Sequence, residues 1–248
     1  MRLDDLRHNW DDLGRVDPLW AVLAYPEFRG NRWSVDEFFA TGRAQVADVL
    51  REVTRAGGTV PPHGRALDVG CGAGRLTQAL ADHVQEVHGA DIAASMVELA
   101  RSHNRHADRV SYHLVDGADL RPFPDGHFDL VLSVVVLQHV PNDVKTAYLR
   151  EFLRVLTPGG IAAFTLPSHA DLSPVGLLRR LPNRVQNVYR RRRHGYRAVM
   201  EFHTMRRRRV LALLRGAGAE VLAVTEEPMA GPPFTSYLYV VRRPVSSA

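Results

Sequence analysis

The stretch RALDVGCGAGRLTQAL, from Arg65 to Leu80, constrains this chain more than any other. An apolar run interrupted at Asp68 meets glycines at 70, 72 and 74, and a helical pattern starts at Arg75. Short apolar runs bounded by glycine read as buried strands. Glycine lets the backbone turn tightly and approach a ligand with no Cβ in the way. A buried strand that turns sharply into a helix belongs to a parallel sheet, where ligands sit outside the carboxyl ends of the strands.

The same alternation continues downstream. Strands are expected at Ala66–Val69, Glu86–Asp91, Val110–Val115, Phe128–Val135 and Gly160–Leu166, with helices over 75–83, 95–104 and 143–156. This order predicts an α/β, Rossmann-like open sheet with helices on both faces. Residues 1–60 read as an N-terminal helical cap, in which Asp36 caps a helix carrying Phe39, Val46, Val49, Leu50 and Val53. The breaker cluster GGTVPPHG ends that cap. Residues 167–203 interrupt the order with prolines, histidines and arginines, as an insertion or lid on the substrate side. Regularity resumes with a helix in MRRRRVLALLRGAG and strands in EVLAVT and TSYLYVVRR, an antiparallel hairpin that closes the sheet. The core is then 61–166 plus 204–243, forming one domain with its cap and insertion.

Composition removes other classes. The single cysteine, Cys71, excludes a disulfide framework and a cysteine-rich zinc site. The opening MRLDDLRHNWDDLG has no apolar signal region, and no stretch approaches the roughly 18 apolar residues of a membrane span. A cytoplasmic protein without a membrane partner is expected. The net charge of +5 invites a nucleic-acid reading, but Lys145 is the lone lysine, so the excess is an arginine skew. Its position carries more information than its total.

Two ligands compete for the glycine turn. A dinucleotide fingerprint, G-x-G-x-x-G, would place its third glycine where Arg75 stands. Asp68 puts negative charge beside the turn, which repels a pyrophosphate and suits a ligand bearing an ammonium and a sulfonium, as S-adenosylmethionine does. Asp91 ends the second expected strand, where a carboxylate accepts from vicinal ribose hydroxyls; otherwise it caps the helix near Ala93. Ile92 and Met96 can pack on an adenine face. Asp116, with the Gly117–Ala118 backbone beside it, can accept from the exocyclic amine, and Asp119 is its rival.

At these residues the sequence resembles the class I S-adenosylmethionine-dependent methyltransferases, in the subgroup acting on small molecules. ALDVGCGAGRLTQAL is similar to their first motif and VHGADIAASMVELA to their ribose motif. VDGADLRPFPDGHFDLVLSVVVLQHV resembles the adenine loop and fourth strand, with Arg121 adding a residue to that loop. REFLRVLTPGGIAAFTLPS is similar to the helix and fifth strand that follow. The resemblance covers roughly 60–168 and, more weakly, 204–243. It implies seven strands with the last antiparallel, S-adenosylmethionine as cofactor, and methyl transfer to a small-molecule oxygen, nitrogen or carbon.

Such transfer is an in-line displacement that rests on positioning and desolvation. The methyl is expected near Ser133 and Val134, with Gly70, Gly72, Gly74 and Cys71 packed against the cofactor. A hydroxyl acceptor needs a base, for which His139 in LQHVP and His169 after the fifth strand are the candidates. Tyr25 and Trp33 are the cap aromatics expected to line the pocket. No histidine–carboxylate group has metal-ligand spacing, so no metal is expected. Arg190–Arg193 and Arg197, beside Tyr189 and Tyr196, suggest an anionic substrate gripped through carboxylate or phosphate. Two other classes stay open: an RNA methyltransferase using the arginines as a phosphate track, though no NPPY-like sequence is present, and a cofactor-binding protein without transfer activity.

Overall fold

The computed structural model describes residues 3–117, 119–183, 185–187 and 200–245. Its centre is β1 (Arg65–Val69), flanked in parallel by β2 (Glu86–Asp91) and β4 (Phe128–Ser133). β3 (Val110–Leu114) extends the sheet beyond β2, and β5 (Leu156–Ala170) beyond β4. β6 (Glu220–Glu227) and β7 (Phe234–Arg242) complete seven strands in the order 3-2-1-4-5-7-6, with β7 antiparallel to both neighbours. The expected mixed sheet with a reversed last strand is therefore present.

Both faces are buried, which is why the central strands are apolar almost throughout. On one face Leu67, Val131 and Phe164 pack with Phe152 of α6 (Asn142–Val155) and with Val210 and Leu214 of α8 (Arg207–Gly216). On the other, Ala66, Leu130 and Ala163 pack with Val46 and Val49 of α3 (Val35–Arg55), Leu80 of α4 (Arg75–Leu80) and Val97 of α5 (Ala94–Ser102). Each fully buried Leu, Val or Phe contributes about 1.5–3 kcal/mol. The cap begins with α1 (Leu3–Val16) and α2 (Pro18–Val22), while α7 (Pro174–Arg179) follows β5.

Several boundaries differ from expectation, among them the end of α4 at Leu80 where a helix to 83 was expected, and three have a clear local reason. Ser34, not Asp36, caps α3: its side chain accepts from Glu37 N at 3.2 Å while its backbone is extended. Asp36 already lies in the first helical turn, where its carboxylate suits the helix dipole, and it pairs with Arg105 at 2.9 Å. β4 stops at Ser133 because Val135 turns left-handed at φ 64, a rare conformation for a β-branched residue, and donates its N–H to Thr165 Oγ1 at 2.8 Å. β5 outruns its expected span because β7 pairs with it as far as Ala170, opposite Phe234.

The cap is tied over the carboxyl edge of the sheet. Ser95, at the start of α5, donates its N–H to Asp11 Oδ1 at 2.8 Å and its hydroxyl to Asp11 O at 2.9 Å. Buried Asp17 accepts from Gly30 N at 2.6 Å and Asn31 N at 3.2 Å, fixing the loop after α2. Among the described residues, no helix is long and apolar enough to cross a membrane.

Candidate active site

β1 delivers the chain to the carboxyl edge at Gly70, whose φ of 78 is left-handed. Gly70 N and Cys71 N both donate to Ala90 O, at 2.7 and 3.1 Å, so the turn is pinned to the end of β2. A Cβ on Gly70 would collide with the side chain of Val136. The absent side chain is what lets this turn pass beneath the segment leaving β4.

The turn borders a cleft of about 920 Å³, including its open mouth. That volume lies within the range of ligand sites. Nine of the residues singled out from sequence line it: Asp68, Gly70, Cys71 and Gly72 from the first turn, Asp91, Ile92 and Met96 from the second, and Val134 and His139 beyond β4. Asp91 holds the two turns together, accepting from Gly72 N at 2.8 Å through Oδ2 and from Ala93 N at 2.9 Å through Oδ1. Asp91 does not cap α5, whose N-cap is Ala93 with no side-chain bond, and each of its oxygens keeps a further lone pair for a ligand hydroxyl. Burial raises the Asp91 pKa, partly offset by those backbone donors. Asp68 is also pushed up, to about 6, by burial above all; Thr77, whose hydroxyl donates to it at 2.7 Å, pulls the other way.

The other candidates lie outside this lining. Gly74 is the left-handed N-cap of α4, packed under the Tyr112 hydroxyl, where a Cβ would not fit. Ser133 is fully buried and donates to Val69 O at 3.0 Å, so its hydroxyl serves the sheet. The Asp116 side chain is 98% exposed beside Arg7, and Gly117 O accepts from Tyr148 at 2.7 Å; Ala118 lies outside the described residues. Asp119 pairs with Arg121 at 2.9 Å. His169 sits in β5 opposite Thr235, with Nδ1 buried and without a partner. Trp33 stacks on Phe28 with ring centroids 3.7 Å apart and donates to Leu23 O, while Tyr25 is half exposed against its edge. Trp33 belongs to a satellite core of the cap with Phe28, Phe38 and Phe39. Arg190–Arg193 and Arg197 lie outside the described residues, and Arg206–Arg209 are exposed.

Residues 67–164 match the family model described as a methyltransferase domain. That match covers less than half of the chain. The Xanthomonas oryzae ubiquinone biosynthesis O-methyltransferase is 38% identical over 97 residues, 39% of this chain and 40% of that protein. The 2-methyl-6-phytyl-1,4-hydroquinone methyltransferase of Synechocystis is 38% identical over 117 residues, 46% of this chain and 36% of that protein. This chain therefore spans about 40% of the length of the curated relatives it matches. In fold, it is similar to the Synechocystis magnesium protoporphyrin IX methyltransferase with bound S-adenosylhomocysteine, with TM-score 0.65 and 16% identity, covering 96% of this chain and 97% of that one.

The lining of this cleft fits S-adenosylmethionine chemically. The buried Asp68 and half-buried Asp91 carboxylates suit cationic centres and ribose hydroxyls, and Ile92, Met96 and Val115 give an apolar wall for an adenine. Several lining residues carried no local sequence signal. Trp10 and Leu6 come from α1, and Tyr148 comes from α6. Arg75 did carry one, standing where a dinucleotide fold would have glycine.

The far end of the cleft holds His139. Its Nδ1 lies 2.9 Å from Glu201 O, a carbonyl that can only accept, so Nδ1 carries the proton and Nε2 the lone pair. Gln138 Nε2 lies 3.3 Å from that nitrogen. Trp10 and Phe202 pack edgewise on the ring at centroid distances of 5.0 and 4.9 Å. Behind it Lys145 is fully buried, donating to Asn142 Oδ1 at 3.2 Å and to His203 O. Burial pulls the Lys145 pKa down to about 7. Among the described residues, no group of three His, Cys, Asp or Glu side chains could hold a metal.

Proposed function

We propose that this protein transfers the methyl group of S-adenosylmethionine to a hydroxyl of a small, ring-bearing acceptor of quinol type. Bound S-adenosylmethionine supplies a methyl carbon already activated by its sulfonium. The chain's own residues bind, orient and exclude water. In this reading Asp91 accepts from the ribose hydroxyls, Ile92 and Met96 flank the adenine, and Asp68 offsets positive charge. The α1–α2 cap closes the cleft to solvent, which favours a near-attack geometry. His139 takes the hydroxyl proton at Nε2 after displacing the Gln138 contact.

The observation that carries this reading is the position of His139 in the same cleft as the Gly70–Gly72 turn and Asp91, with its tautomer set by Glu201 O. The ring-bearing acceptor is supported by Trp10 and the valines at 135, 136 and 140 around His139, and by the quinol-directed names of the two curated relatives. The test is a panel of hydroquinones, catechols, amines and acidic carbon compounds, read by S-adenosylhomocysteine release. Turnover on hydroxylated rings is expected. Turnover confined to amines would refute the hydroxyl acceptor, and cofactor binding with no turnover on any member would refute transfer.

A further inference from the structure

His88 and His113 stand 25 residues apart in the chain, and only the pairing of β2 with the edge strand β3 brings them together. His88 Nδ1 lies 2.9 Å from His113 Nε2. Ser111 Oγ lies 3.1 Å from the first of these atoms and 3.0 Å from the second. The three atoms therefore form a nearly equilateral triangle, and none of the three residues lines the cofactor cleft. All three are partly exposed, and Ser111 borders a separate open groove together with Glu86.

The triangle is short of hydrogens. His88 Nε2 lies 2.8 Å from Glu86 Oε1, a carboxylate oxygen that only accepts, so a neutral His88 has a lone pair at Nδ1. His113 Nε2 and the Ser111 hydroxyl then bring at most two hydrogens to three contacts. Such a set of converging polar atoms matches one face of a cation site. Ligand atoms about 2.1 Å from an octahedral or tetragonal ion lie about 3.0 Å apart, against about 3.4 Å around a tetrahedral one. The observed edges fit the former. Imidazole nitrogens with an oxygen in tetragonal geometry select Cu²⁺ or Ni²⁺.

The surroundings hold the rings in place. Glu86 is the outer carboxylate that orients a metal-binding histidine, and its other oxygen accepts from Arg65 Nε at 3.1 Å. Phe123 packs edgewise on both rings, with centroid distances of 5.8 Å to His88 and 5.1 Å to His113. Among the described residues no third His, Cys, Asp or Glu joins them, so the third position falls to the hydroxyl. The expectation of no metal rested on spacing along the chain, which cannot show a site made by strand register.

We propose that His88 Nδ1, His113 Nε2 and Ser111 Oγ bind one divalent late transition-metal ion, Cu²⁺ or Ni²⁺, which staples β3 to β2. On binding, His113 carries its ring proton on Nδ1, Ser111 coordinates through a lone pair, and water fills the remaining positions. The site is independent of the methyl-transfer reading.

Titration of wild-type protein with Cu²⁺, followed by electron paramagnetic resonance, tests this. The expected result is one tetragonal signal coupled to two imidazole nitrogens and saturating at one ion per chain. His113→Ala should lose one of those nitrogens, and Glu86→Gln should weaken Cu²⁺ binding about 10- to 100-fold. Cu²⁺ and Ni²⁺ should raise the wild-type melting temperature while Mg²⁺ does not, and S-adenosylhomocysteine affinity should be the same with and without the ion. A signal unchanged in His113→Ala would mean an adventitious surface histidine and overturns the proposal, as does Cu²⁺ binding indifferent to Glu86→Gln. Should His113→Ala fail to fold, the wild-type spectrum still decides: coupling to a single nitrogen, or no saturable signal, overturns the site.

Discussion

The two ends of the cleft are built differently. The Asp68–Asp91 end comes from two successive strand-to-helix turns, with Asp91 bonded to backbone N–H groups and Asp68 to the Thr77 hydroxyl, all a few residues or one strand away. The His139 end is assembled from α1, the segment after β4 and the stretch at 201–203, which lie far apart in the chain. The first is a local device that any sheet of this type can carry. The second depends on the cap and the return from the insertion both docking correctly. The cofactor end should therefore tolerate changes in the cap, whereas the acceptor end should not.

The sharpest way to break that contrast is His139→Ala. On an acceptor identified from the panel, the maximal rate should fall about 10²–10⁴-fold, with S-adenosylhomocysteine affinity unchanged. A rate within a few-fold of wild type would mean that positioning alone suffices and that the acceptor end has no base. Next in size is the local device itself. Asp91→Ala should weaken cofactor binding by about 1.5–3 kcal/mol, the scale of hydrogen bonds to a charged group. Unchanged affinity by calorimetry would leave Asp91 only as a tie between the two turns.

The same division explains how much was legible in sequence. The glycine turn, Asp68, Asp91, Ile92 and Met96 fall where strand ends put them, because spacing along one chain segment determines their place. The alternation of strands and helices was legible for the same reason, whereas the count of seven strands came from the family resemblance. Trp10, Tyr148 and the Glu201 carbonyl carried no local signal, since each reaches the cleft through packing of a distant element. Asp116 shows the opposite case: its spacing suggested an adenine contact, but Arg7 of the cap draws it to the surface. Tyr25 and Trp33 were chosen for chemistry; Trp33 instead packs in the cap's own core with Phe28 and Phe38, and Tyr25 is half exposed beside it.

Titration distinguishes the two ends by sign. Asp68 has its folded pKa raised to about 6 from 3.8, so the folded protein holds more protons than the unfolded chain between those values. Its contribution to stability therefore declines as pH rises from about 4 to 6. Lys145 has its folded pKa lowered to about 7 from 10.5, so the unfolded chain holds more protons there and stability rises as pH climbs from 7 to 10. Each effect is on the order of 1–2 kcal/mol once relaxation around the charge is allowed for. Denaturant titrations of Asp68→Asn and Lys145→Met should each flatten one window and leave the other. A variant that flattens the wrong window would contradict the assignment.

The smallest expected effect tests the cap alone. Ser34→Ala should cost about 1 kcal/mol of stability through the lost N-cap, and Asp36→Ala less, since its exposed pair with Arg105 contributes little. Equal losses in the two variants would contradict the capping assignment.

The central claim is that the cleft between the first two strand ends takes S-adenosylmethionine and not a dinucleotide. Isothermal titration of the wild-type protein with S-adenosylhomocysteine, followed by NAD, tests it directly. The account predicts saturable binding of one S-adenosylhomocysteine per chain, no binding of NAD, and loss of affinity in Asp91→Ala. Binding of NAD with none of S-adenosylhomocysteine would contradict it.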